Sequence, residues 1–164
     1  MKRELGVARV IWVMRLHIIT VGEPKHEYAK IGCGLYLKRL ERYHKLKVTR
    51  VKDSKRSGET AMLEEGMALL EAAGRAYTVA LDPRGKQFTT EALTAHISSL
   101  GVNGEGELAF LVGGDEGFSD QVRTSVRMMW SLSSLTMPHD LAQLVLLEAL
   151  YRAATLERGE PYHK

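Results

Sequence analysis

Three short segments carry groups suited to holding a small molecule: Leu81-Asp82, Gly113-Gly114-Asp115-Glu116-Gly117, and Leu132-Ser133-Ser134-Leu135-Thr136-Met137. Glycine lets a ligand come close to the backbone, and a run of Leu, Ser, Thr and Met offers N–H and C=O groups beside apolar contacts. That combination suits an adenine ring. It suits a phosphate poorly, because Asp115 and Glu116 would repel an anion; taken alone, the two acids are read as complementing the dipole of a following helix. Glu148, Arg152 and Thr155 form a second set, with the i, i+4, i+7 spacing that places them on one helix face. A Glu-to-Arg pair at that spacing is worth a few tenths of a kcal/mol. Here the neighbours are apolar, which predicts a charged group facing a site.

Other chemistries lose support. The chain has no GxxxxGK[ST], no GxSxG, no HExxH and no GxGxxG after a strand. Gly101, Gly104 and Gly106 are misordered for a dinucleotide fingerprint and are read as a connector. The single cysteine, Cys33, rules out an internal disulfide, and without CxxC or a Cys/His cluster no metal site is expected. Arg9, Arg15, Glu148 and Arg152 interrupt the longest apolar stretches, so no membrane span is expected. Lys2 and Arg3 before an apolar stretch loosely imitate a signal peptide, but Arg9 breaks it and no small-residue cleavage site follows, which points to the cytoplasm.

The elements that must position these groups alternate, strand then helix, which predicts one α/β domain with a largely parallel sheet. Strands are expected over 16–21, 46–51 (an edge strand), 76–81, 108–112 and, weakly, 130–135. Helices are expected over 28–43, 58–73, from a Thr89 or Thr90 cap to Leu100, briefly from Ser119, and from Pro138 to about Arg158. Asp82-Pro83-Arg84-Gly85-Lys86 reads as a turn-forming loop. In such sheets ligands bind beyond the carboxyl ends of strands, where the three segments fall. In the final helix, twelve of the sixteen residues from Leu141 to Leu156 are apolar. That exceeds one sheet-facing stripe and predicts a second copy of the chain as partner, hence a homodimer.

The formal net charge of +3 conceals a division: residues 1–56 hold 15 Lys and Arg against 5 Asp and Glu, whereas 57–164 hold 8 against 15. Such asymmetry fits a polyanion surface, with Lys25, Lys30, Lys38, Arg39, Arg42, Lys45, Lys47, Lys55 and Arg56 as candidates and a steep salt dependence.

Leu81-Asp82 with Gly85-Lys86, Leu111-Val112-Gly113-Gly114 with Glu116-Gly117, Trp130 to Ser133 with Leu135-Thr136, Pro138-His139, Glu148 to Ala153, and the closing Pro161-Tyr162-His163 resemble the RlmH family of SPOUT-class methyltransferases. The resemblance spans Met14 to Lys164, strongest from Leu81 onward. It implies a SPOUT-type α/β fold with a C-terminal trefoil knot, a knot-mediated homodimer, and S-adenosylmethionine as cofactor. It also implies methylation of ring nitrogen N3 of a pseudouridine in 23S ribosomal RNA, with the ribosome as partner. Leu81, Gly113, Gly114 and Leu132 through Met137 would then meet the cofactor. Arg152, Tyr162 and His163 become the catalytic candidates, and Arg84, Lys86, His139 and Glu148 the substrate-binding ones. Asp115 and Asp140 stand where relatives often have Pro. Met14-Arg15-Leu16 resembles the family's usual start, so residues 1–13 are read as an extension from an upstream start codon and 14–164 as the domain. Two competing readings are a SPOUT enzyme acting on tRNA and a ribosome-associated protein that has kept the fold without catalysis.

Overall fold

A computed structural model describes residues 10–163, except the side chain of His163. Five parallel strands, β1 (Arg15–Val21), β2 (Lys45–Val51), β3 (Tyr77–Lys86), β4 (Glu107–Val112) and β5 (Met128–Trp130), lie in the order β2-β1-β4-β3-β5. Five helices connect or follow them: α1 (Glu27–Leu40), α2 (Gly58–Ala73), α3 (Thr90–Val102), α4 (Asp120–Ser125) and α5 (His139–Glu157). A 3-10 turn at Pro161–His163 is the last described element. Leu16, Ile18, Phe110 and Val79 pack with α1, α3 and α5, while Ile19, Val21, Ala80 and Leu111 pack with α2 and α4. With both faces covered, β1 and β4 are buried at every position after the first; β2, on the edge, is exposed or half-buried throughout and does not show the alternation its sequence suggested, since Val48 is exposed.

Three stretches differ from the sequence reading. The predicted loop 82–86 belongs to β3, because both Leu81 and Lys86 pair with Trp130 and the residues between bulge outward. The last strand is Met128–Trp130 rather than 130–135: Ser131 N–H closes the ladder on the Lys86 carbonyl at 2.9 Å, and Leu132–Met137 leave the sheet. Gly101, read as connector, lies inside α3, where a Cβ would meet the Trp12 ring at 2.8 Å.

A fourth difference concerns α5. It is sandwiched between α1 and α3, with Gly32 of α1 so close to Leu144 that a Cβ would fall 2.7 Å from a methyl carbon. Much of the apolar surplus that suggested a partner copy therefore finds cover within the chain. The larger uncovered apolar stripe is on α1, where Tyr28, Ile31 and Leu35 are 47%, 65% and 46% exposed.

Candidate functional site

The three segments singled out in the sequence converge on one cleft at the carboxyl ends of β3, β4 and β5. Its apolar half, about 80 Å³, lies between Leu81, Pro83, Trp130, Leu132, Leu135 and Met137. Its polar half, about 330 Å³ and open to solvent, runs from Leu81 and Asp82 past the Gly113–Gly117 turn to Arg123, Thr136 and His139. Leu81, Asp82, Pro83, Met137 and Ala142 border both halves. Ser133 lines the apolar half and Gly114 the polar half; Ser134 is exposed in the same loop and lines neither.

Among the described residues, Leu135 is the one member of the 132–137 loop whose N–H is committed, to Ser133 Oγ at 3.0 Å. The others present backbone donors with no protein partner. Such donors are free to bond water or a ligand in the cleft. The facing glycines are held by the opposite layer. Gly114 lies beneath buried Glu65, whose Oε2 would be 2.5 Å from an added Cβ, and Gly113 sits against the Phe118 ring and Gly117. Glu65 also accepts from Ser54 N–H (2.9 Å), and Glu116 accepts from Gly58 N–H (3.0 Å), so the turn is stapled to the start of α2. Asp115 and Glu116 are thus tie points, and neither caps α4, which begins at Asp120.

The mouth is organised around buried acids. Asp82, 4% exposed, accepts from Arg84 N–H at 2.9 Å and from Arg123 Nε at 2.7 Å; Arg123 Nη1 reaches Asp120 at 2.8 Å. Asp140, 1% exposed, accepts with a single oxygen from the N–H groups of Lys25 (2.9 Å) and His26 (2.7 Å) and from the His26 ring (2.9 Å). Burial alone would raise its carboxyl; the bonds from His26 and Lys25 and the nearby His139 hold it below its ordinary value. His139 Nδ1 lies 2.8 Å from Asp115, and its Nε2 is 3.0 Å from Asp140 Oδ1, off the hydrogen-bond direction. His139 therefore joins the glycine turn to the start of α5.

The other candidates lie elsewhere. Glu148 Oε1 accepts from Arg152 Nε (3.0 Å) and Nη2 (2.6 Å) and from the Tyr162 hydroxyl (3.2 Å). The Arg152 guanidinium also stands 5.0 Å over the Tyr162 ring, and Tyr36 OH is 3.1 Å from Tyr162 OH. Burial, then the Tyr36 bond and the Glu148 charge, push the Tyr162 phenol far above its usual range, so at neutral pH it is a donor. The bond to Glu148 raises Arg152 further. Thr155, expected on the same face, is buried and bonds back to the Arg152 carbonyl. Arg152 follows His139 by thirteen helical residues, about 20 Å along α5, so one chain does not bring this cluster to its own cleft. Arg84 is exposed and pairs with Asp120; Lys86 lies over the Phe88 ring; neither lines the cleft. The His163 side chain lies outside the described residues.

Sequence reasoning missed Arg123, Glu65 and Asp140 as members of the site. Each is charged and sits on a helix with nothing local to mark it, and its role appears when distant segments pack.

The family model described as a predicted SPOUT methyltransferase matches residues 14–163. The chain is 54% identical over 151 residues to the ribosomal RNA large subunit methyltransferase H of Deinococcus deserti, covering 92% of this chain and 100% of that one. The protein of that name from Clostridium acetobutylicum is 38% identical over 160 residues, covering 92% and 100%. Two solved structures share the fold at low identity. A probable methylase family protein from Haemophilus influenzae Rd KW20 has TM-score 0.54 and 11% identity, covering 92% of this chain and 70% of that chain. A probable methyltransferase from Bordetella pertussis Tohama I has TM-score 0.51 and 12% identity, covering 87% and 96%.

Proposed function

The chain belongs to the SPOUT methyltransferase family, and from that premise we propose that it transfers a methyl group from S-adenosylmethionine to N3 of a pseudouridine in the 23S RNA of the large ribosomal subunit. The observation that carries the cofactor assignment is the 132–137 loop, which lines the cleft together with Leu81 and the glycine turn and whose N–H groups, Leu135 apart, have no protein partner among the described residues, beside an apolar half suited to an adenine ring. Asp82, Asp115 and Glu116 outnumber Arg123 there, which suits a cofactor of net positive charge. The relatives' shared name favours ribosomal RNA over tRNA as substrate and a catalyst over a binding protein, and the basic, exposed α1 and β2 side chains fit an RNA surface.

When bound, S-adenosylmethionine supplies a methyl group activated on sulfonium. The protein's tasks are to align that methyl with N3, exclude water, and manage the N3 proton and the charge left behind. Arg152, held charged, is the group to stabilise that anion, and protonated Tyr162 is a hydrogen-bond donor to the nucleotide. Their distance from the cleft of their own chain favours a homodimer in which the tail of one copy completes the cleft of the other. The Tyr28, Ile31 and Leu35 stripe is its most economical contact. The reading includes the trefoil knot of the family, residues 14–164 as the catalytic domain after an extension at 1–13, and the cytoplasm as compartment; no described helix is long and apolar enough to cross a membrane.

The test is transfer of labelled methyl to ribosomes from cells lacking this protein, with the modified nucleotide mapped by mass spectrometry. Label on a 23S pseudouridine is expected; label only on tRNA would overturn the substrate, and no transfer to any RNA would overturn the reaction. Light scattering at micromolar concentration should give twice the chain mass, and a monomer would remove the shared site.

A further inference from the structure

Arg123 enters the reading above only as a charge outnumbered by the acids, yet among the described residues it is the one permanently charged cation that lines the cleft. Its guanidinium is fixed from two sides: Nε donates to buried Asp82 at 2.7 Å and Nη1 to Asp120 at 2.8 Å, leaving Nη2 without a protein partner among the described residues. The side chain is 19% exposed, and Arg123 lines the polar half of the cleft together with Gly113, Phe118 and Thr136. The two bonds to carboxylates outweigh the burial cost and keep Arg123 charged.

A guanidinium serving only to neutralise Asp82 would bury all its donors. This one is braced by two acids, keeps Nη2 without a partner among the described residues and stands in the lining of a cavity, an arrangement that suits a preorganised anion contact. Which anion follows from the surroundings. Asp82, Asp115 and Glu116 line the same space, so a dianionic phosphate would meet more repulsion than attraction, whereas a single carboxylate carried on an otherwise cationic molecule would meet both signs correctly. The apolar half takes the adenine, and Leu81, Asp82, Pro83, Met137 and Ala142, common to both halves, mark the passage between them.

We propose that Arg123, braced by Asp82 and Asp120, binds the α-carboxylate of the cofactor's methionine moiety and so selects an amino-acid-bearing adenosyl sulfonium over its decarboxylated counterpart. The proposal rests on the cleft being the S-adenosylmethionine site. Arg123 acts on affinity and selectivity; it does not touch the base that is methylated.

The experiment is a thermodynamic cycle by calorimetry. Binding of S-adenosylmethionine and of decarboxylated S-adenosylmethionine is measured on the wild-type protein, on Arg123→Lys, and on Arg123→Met combined with Asp82→Asn, which avoids stranding a buried charge. The wild type should favour the carboxylated ligand at least tenfold, Arg123→Lys less, and the double variant about equally, with decarboxylated binding changed far less than carboxylated binding. A selectivity that stays the same in both variants would overturn the proposal while leaving the cleft assignment standing. Wild-type protein that binds neither ligand would overturn the cleft assignment and the proposal with it. If the double variant does not fold, Arg123→Lys alone decides, since its ratio compares two ligands on one protein.

Discussion

The most consequential single residue in the fold's handling of the cleft is Asp140. One of its oxygens closes the start of α1 onto the start of α5 through three hydrogen bonds, and bonds to a buried carboxylate are worth about 1.5–3 kcal/mol each when cleanly removed, with partial recovery by water. Asp140→Ala should therefore cost about 2–3 kcal/mol in urea unfolding, and Asp140→Asn, which keeps an acceptor, about 1 kcal/mol. Equal losses would show that the charge, rather than the acceptor, holds the junction. Tyr162 makes a different prediction. Because its phenol is raised, it stays protonated through the alkaline range, so the methylation rate should show no fall from Tyr162 ionisation up to pH 9. Tyr162→Phe should lower kcat about tenfold or more while leaving S-adenosylmethionine affinity within twofold, as measured by single-turnover methyl transfer and calorimetry. A reduced affinity with unchanged kcat would place Tyr162 in cofactor binding instead.

At the scale of elements, β5 is three residues long and yet sets where the ligand loop leaves the sheet. Its seat on β3 depends on Gly85, where an added Cβ would fall 2.5 Å from the Met129 carbonyl carbon and 2.6 Å from Trp130 N, both backbone atoms that no rotamer change can move. Gly85→Ala should cost about 3 kcal/mol and weaken cofactor binding more than tenfold, because Leu132–Met137 begin one residue beyond the ladder. Unfolding and calorimetry on the same variant check both. Most elements were legible from periodicity and caps: α2 has the predicted bounds, and Thr89 and Ser119 accept from Ala92 and Val122 N–H as N-caps do. The 82–86 bulge and the short β5 were not, since Asp-Pro and Arg-Gly carry turn chemistry and the pairing that overrides it comes from a strand more than forty residues away.

For the whole molecule, the buried histidines set the response to acid. His44 accepts from Met14 N–H at 3.3 Å, and burial, then the Arg158 charge, push it down to about 4; burial lowers His17 as well. Above the ordinary value of 6.5 both states are neutral at His44 and stability is complete. Below it the unfolded chain takes a proton that the folded chain refuses, so stability falls as pH drops from 6.5 toward 4. His44 alone accounts for about 2 kcal/mol between pH 6.5 and 5, a window above most carboxylate titration. Urea unfolding at pH 7, 6 and 5 should show this loss, and His44→Gln, which preserves an acceptor for Met14, should show a flatter profile. An identical slope in the variant would assign the acid sensitivity to other groups.

The sequence by itself determined which segments line the cleft, because they fall at the carboxyl ends of β-branched and apolar runs, where a parallel sheet leaves its crevice, and it determined the α/β class through the alternation of periods. The segregation of charge, too, was a property of composition. Only the tertiary structure decided which charged side chains share the cleft. Arg123 lines it because α4 packs against α2 and the Arg123–Asp82 bond ties it to β3, and His139 reaches Asp115 because the glycine turn meets the start of α5. Glu148, Arg152 and Tyr162 form a cluster of their own, about 20 Å along α5 from the cleft mouth. Helical spacing fixes which residues share a face but not what that face looks onto; that depends on contacts distant in sequence, which no local pattern encodes.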